Sequence, residues 1–121
     1  RLWQMDFVTR STSGRLSEIL GKKYVDYDKK KRRKGMVFAA QNTIEGWKKD
    51  TTHYALLEAY TAGVNAYINS LKRKDYPVEF KLLDYEPEEW TTLKTALFSV
   101  ETLIGTPEAF KPESIICTRP N

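Results

Sequence analysis

Five apolar residues, Leu2, Trp3, Met5, Phe7 and Val8, crowd the first eight positions of the chain. On an α-helix these positions cover most of the circumference, so the stretch predicts a helix buried on nearly all sides. Such a helix at the end of a chain needs cover, and the economical expectation is that the 121 residues are a piece of something larger. Gly14 predicts the end of this helix near Ser13, because glycine tolerates the positive φ of a helix C-terminus. Ser13 is then the expected cap of a short second helix, 15–20, which Gly21 ends.

The remainder is read by helical period. Val37, Ala40, Ile44 and Trp47 share one face of a helical segment, 24–49, with Gly35 as a kink or break inside it. Asp50 is the expected N-cap of the clearest helix, 51–74, whose apolar stripe is Leu57, Tyr60, Val64, Tyr67, Ile68 and Leu71. Beside that stripe run Ala59, Gly63 and Ala66, small residues that let another backbone come close. Lys72, Arg73 and Lys74 suit a helix C-terminus, and Pro77 follows the break. Residues 78–91 fit neither period and predict an extended loop anchored by Phe80, Leu82, Leu83, Tyr85 and Trp90. Glu86, Glu88 and Glu89 are expected to favour the N-terminus of a last helix, 91–104, rather than to act as paired catalytic carboxylates. Leu93, Ala96, Leu97, Val100 and Leu103 with Ile104 form its apolar face. The expected fold class is all-α, with about four to five helices over 1–105, an extended loop near 75–90 and an irregular, Pro-containing tail over 106–121.

Composition limits the chemistry. The length suits one domain, and 40% hydrophobic with 30% charged residues excludes a disordered chain. No apolar run approaches the ~18 residues of a membrane span, so no membrane partner is expected. One histidine and one cysteine, His53 and Cys117, exclude an internal disulfide and a zinc site built from these two residue types. His53 falls in the polar first turn of a helix with no nucleophile or carboxylate partner evident, so it reads as a surface residue. No glycine-rich phosphate loop or nucleophile elbow is present, and no catalytic residue is assigned. Lys29 to Lys34 are six consecutive cations. One reading is a nucleic-acid patch on a stand-alone basic module, or a site for a protein partner. The favoured reading is a solvated helix surface whose alkyl stems cover apolar neighbours. An ion pair from Arg32 or Arg33 to a part of the protein outside this segment is a further option. Asn65, a polar residue on an apolar helix, either orders substrate or water or satisfies buried backbone groups, and the second reading is preferred.

Several blocks carry a family resemblance. They are Arg1-Leu2-Trp3-Gln4-Met5-Asp6, Arg10-Ser11-Thr12-Ser13-Gly14 and Glu18-Ile19-Leu20-Gly21, then Val25, Tyr27, Asp28, Lys29, Arg32 and Arg33. Ala59 to Ile68 forms a further block, as do Pro77, Glu79, Phe80, Leu82, Leu83, Tyr85, Pro87, Trp90 and Thr91. Together they resemble the helical part of the α-chain of penicillin acylases, a family of N-terminal-nucleophile amidases. The match runs to about Thr91 and more weakly to Leu103.

The resemblance implies a precursor cut into α- and β-chains. The N-terminal Ser of the β-chain attacks an amide carbonyl, with its own α-amine as base, and releases a carboxylic acid and an amine. The implied partners are that β-chain and a small N-acyl substrate, and the implied location is periplasmic or secreted. This segment would supply helical cover and part of the acyl pocket, and would be inactive alone. A gapless count from Trp90 places Leu103 where the family has an acyl-pocket methionine; the alternative for Leu103 is core packing. Thr106 and Pro107 stand where the family has arginine and phenylalanine. The same count places Glu113 where the family has a calcium-ligating glutamate; the alternative there is a surface carboxylate. No cofactor for the chemistry is implied, only a structural calcium in the complete enzyme.

Overall fold

The computed structural model describes residues 1–104. They form seven α-helices and two 3-10 turns, with no strand among the described residues. The helices are α1 (Leu2–Ser13), α2 (Ser17–Leu20), α3 (Val25–Arg33), α4 (Met36–Trp47), α5 (Thr51–Ser70), α6 (Val78–Leu82) and α7 (Thr92–Ile104). The expected tail over 106–121, including Glu113 and Cys117, lies outside the described residues.

Glycines divide the first half as their backbone freedom dictates. Gly14 closes α1 in the left-handed region at φ 72° and ψ 49°, and its N–H bonds back to the Ser11 carbonyl. Gly35, at φ 69°, breaks the expected 24–49 segment into α3 and α4. The apolar core lies where α4 meets α7, the main packing pair of the fold. Met36, Ala40 and Ile44 from α4 interlock with Ala96, Leu97 and Val100 from α7. Ala40 and Ala96 are wholly buried, and their small side chains let the two helices approach closely. Val37, Tyr54 and Leu93 seal the margin of this cluster.

Three expectations are corrected. Trp3, Met5, Phe7 and Val8 are only half-buried, and the face that α1 buries is mostly polar: Asp6, Thr9, Arg10, Ser11 and Thr12 beside Leu2. The long helix stops at Ser70 instead of Lys74; Leu71 turns extended, and a 3-10 turn, Arg73–Asp75, follows. The expected loop over 78–91 opens with α6, a helix too short to show a period. Pro77 precedes it with its fixed φ, and Phe80 is fully buried between Tyr76 and Tyr85, at ring distances of 6.3 and 4.8 Å.

Candidate functional site

The chemistry of this segment concentrates beneath α1. Asp6 and Arg10 stand one helical turn apart, so their side chains meet, and the Arg10 Nε donates to Asp6 Oδ2 at 2.8 Å. The rest of the Arg10 guanidinium is shared: Nη1 donates to Glu18 Oε2 at 2.9 Å and Nη2 reaches Glu88 Oε1 at 2.9 Å. Arg15 closes the ring. It donates to Glu18 through Nε and Nη2, and to both Glu88 oxygens at 3.2 and 2.9 Å. Lys94, from α7, adds a longer contact to Glu88 at 3.3 Å. The Tyr85 hydroxyl donates to Asp6 Oδ2 at 3.0 Å, and its ring lies 5.2 Å from the Arg10 guanidinium carbon. Three carboxylates thus meet three cations, and together they tie α1, α2, the 83–91 linker and α7 to one another.

The charge states follow from the geometry. Burial alone would lower the Arg10 pKa, but Asp6 and Glu88 outweigh it and push it up. Hydrogen bonds to Glu18 and Glu88 raise that of Arg15. The Arg15 fork is the largest of the causes that hold the Glu88 carboxyl down to about 2, ahead of its own burial. Burial and the neighbouring Asp6 carboxylate push the Tyr85 hydroxyl well above its usual range, so it stays a donor. Arg10, Arg15, Glu18, Glu88 and Tyr85 are each pushed away from neutrality, toward the protonation state their partners require. That is the electrostatics of a clamp and unlike a general acid or base, whose pKa sits near working pH.

A second set of contacts fixes the α1–α3 corner. Asp28, buried on α3, accepts from the backbone N–H of Leu16 at 3.0 Å and of Ser17 at 2.8 Å, so it caps α2 from a distance. Ser13, the expected cap, instead donates back to the Arg10 carbonyl. The Arg32 Nε donates to the Gly14 carbonyl at 2.9 Å, which gives it a role within this segment. The six-cation run is divided by the helix: Lys31 turns inward to Glu101 on α7 at 2.9 Å, while Lys29, Lys30, Arg32, Arg33 and Lys34 stay exposed.

A cavity of about 560 Å³ opens beside the clamp. Apolar Val37, Leu93 and Leu97 line it with Arg15, Arg32 and Lys94. Glu88 and Glu89 line it too, and Glu88 already pairs with Arg15 and Lys94.

The sequence-predicted residues distribute as follows. Asn65 spans a gap: its Nδ2 donates to the Trp90 carbonyl at 2.9 Å, and its Oδ1 accepts from the Trp90 N–H at 2.7 Å. It satisfies backbone groups, as preferred. Asp50 caps α5 by accepting from Thr52 and His53 N–H, and the exposed His53 ring bonds the same carboxylate. Glu88 serves the Arg10–Arg15 clamp instead of the start of α7, a correction to the expectation. Leu103 lies near the end of α7 with 83% of its surface exposed, so it is not a core residue here. Glu113 lies outside the described residues. No group of three or more His, Cys, Asp or Glu that could hold a metal ion occurs among the described residues. No helix there is long and apolar enough to cross a membrane.

Residues 1–112 match the family profile described as penicillin amidase. The chain belongs to the penicillin amidase family. Relatives include the penicillin G acylase of Escherichia coli, 30% identical over 106 residues, covering 85% of this chain and 12% of that protein. The penicillin acylase 2 proenzyme of Pseudomonas sp. (strain SE83) is 37% identical over 90 residues, covering 74% of this chain and 11% of that one. The chain thus spans about an eighth or less of these relatives' length. Family membership recasts the clamp. Asp6, Arg10, Gly14, Glu18, Asp28, Arg32 and Tyr85 all carry the resemblance in the sequence, and all of them hold the fold together in the structure. Sequence reading missed this cluster. The available signal was Asp6 and Arg10 at i and i+4 inside an apolar stretch, an ion pair that helical spacing brings together.

Proposed function

We propose that this chain is the helical α-chain segment of a penicillin acylase-like amidohydrolase, one that hydrolyses the amide bond of penicillins or other N-acyl compounds to a carboxylic acid and an amine. The observation that carries the reading is the penicillin amidase match over residues 1–112. The geometry supports it in a specific way. Asp6, Arg10, Glu18 and Tyr85, which bear the resemblance, join Arg15, Glu88 and Lys94 in a clamp of paired charges, which suits a scaffold that holds a pocket wall rather than a reacting group.

In this reading the nucleophile is the N-terminal Ser of a β-chain cut from the same precursor, and the printed name of the Pseudomonas relative, a proenzyme, is in keeping with such processing. Leu103 belongs to the acyl pocket, and its exposure near the end of α7 leaves it free to meet an acyl group or the β-chain. A structural calcium belongs to the complete enzyme through Glu113; the described residues supply no ligand set for it, and no step depends on it. The mature protein is periplasmic or secreted.

The test is to express the full-length precursor and weigh the product by mass spectrometry, then assay amine release from penicillin G and from a panel of N-acyl amides. Two chains, the heavier or lighter of them beginning with Ser, and release of a free amine are expected. An unprocessed product that leaves every N-acyl amide intact would overturn the reading.

A further inference from the structure

The longest helix, α5, has twenty residues and none of them is buried. Its composition does not suit that exposure. Between Thr51 and Ser70, Glu58 is the one residue among Asp, Glu, Lys and Arg. Tyr54, Leu57, Val64 and Ile68 turn toward the rest of the fold and are half-buried. Outward, Leu56, Tyr60, Gly63 and Tyr67 follow at i, i+4, i+7 and i+11, and Ala55, Ala59, Ala62 and Ala66 form the adjacent stripe. Leu56, Tyr60 and Tyr67 are 65%, 49% and 55% exposed. The exposed polar residues are Thr51, Thr52, His53, Glu58, Asn69 and Ser70, and all but Glu58 fall in the first or last turn. A helix apolar around most of its circumference is a buried helix, and an exposed apolar surface of this kind marks an interaction site.

A groove of about 470 Å³ runs where this outward face meets the start of α1, lined by Leu2, Met5, Tyr60, Gly63, Val64 and Tyr67, with Arg1 as its one charged residue. Nothing lies within 4 Å of where a Gly63 Cβ would stand. A backbone can therefore come into contact there, between the two tyrosines.

We propose that the Leu56–Tyr60–Gly63–Tyr67 face of α5, with the groove it forms against α1, seats an apolar helix from the same precursor polypeptide outside residues 1–121. Two observations select this occupant. The chain covers only 12% and 11% of its relatives, so most of such a polypeptide lies elsewhere. The α5 face is wide, with two adjacent apolar stripes, and Arg1 is the one charge lining the groove, which fits an apolar partner folded together with it better than a strongly charged surface. The proposal rests on the precursor reading above and deepens it by naming the contact.

The test uses the full-length protein. Hydroxyl-radical footprinting should show Tyr60 and Tyr67 protected several-fold relative to the urea-unfolded protein, to the extent seen for buried Phe80 and Trp90. A Tyr67→p-benzoylphenylalanine variant, irradiated, should cross-link to a peptide outside residues 1–121 without doubling the mass of the assembly. Oxidation of Tyr60 and Tyr67 at rates near those of the unfolded protein would overturn the proposal. So would a cross-linked product at twice the mass, which would make the occupant a second copy. Amide hydrolysis in the same preparation separates the two readings. Activity with unprotected tyrosines sinks the docking face alone; protection and an internal cross-link without activity sink the acylase reading alone.

Discussion

Gly14 sits where three constraints meet. It ends α1 in the left-handed region, its carbonyl accepts from Arg32, and a Cβ on it would stand 2.7 Å from the Asp28 carbonyl oxygen and 2.8 Å from the Arg32 Cγ. Gly35 has nearly the same φ but nothing within 4 Å of its Cβ position. The two therefore separate strain from crowding. Gly35→Ala carries only the left-handed strain, about 1–3 kcal/mol. Gly14→Ala carries that and a clash with backbone, so its denaturant midpoint should fall further than that of Gly35→Ala; equal midpoints would show that the corner yields. Asn65 is the second residue whose role is visible at this scale. Its amide pairs with both backbone groups of Trp90, so Asn65→Ala leaves a donor and an acceptor without their partner, at about 1–3 kcal/mol for each buried group. Thermal unfolding would measure the loss, and an unchanged melting temperature would mean that water replaces the amide.

Between elements, the clamp is what holds α1, α2, the linker and α7 in register, and pH tests it. The Glu88 carboxyl is held down to about 2 in the folded protein, against an ordinary value of 4.5. Between these values the unfolded state binds the proton and the folded state does not, so stability rises with pH. The contribution of Glu88 is thus complete above pH ~5 and is lost as pH falls toward 2. The difference in denaturant midpoint between the parent and Glu88→Gln should shrink over that window. A difference that stays constant would remove the ion pair as its source. Much of this level was legible in the sequence. The Asp50 cap, the end of α1 at Gly14, the break at Gly35, the α4 face, the α7 face from Leu93 to Val100 and the role of Asn65 follow from local chemistry, and the structure bears them out, whereas Leu103 on the same expected face is exposed. The clamp was not legible, because Glu88 lies 78 positions from Arg10 and helical spacing speaks only for neighbours within a turn or two. Asp28 escaped for the same reason, since the helix N–H groups it caps, those of Leu16 and Ser17, lie twelve and eleven positions before it. Helix α6, at five residues, spans less than two turns, too little for a period to repeat.

For the molecule as a whole, the segment combines a firm α4–α7 core and a satisfied polar clamp with a long helix that has no fully buried residue. The first two are features of a stable scaffold. The third is the surface to which the proposal above assigns a helix of the same precursor, and the chain spans only 12% and 11% of its curated relatives. The chemistry, in this account, belongs to the part of the precursor outside these residues, and the segment's contribution is to shape and hold. The measurement that tests this most directly compares amine release from a phenylacetyl amide by the full-length protein and by the 121-residue segment under the same conditions. The account predicts turnover by the full-length protein and none by the segment. Hydrolysis by the segment alone, or a processed full-length protein that leaves N-acyl amides intact, would contradict it.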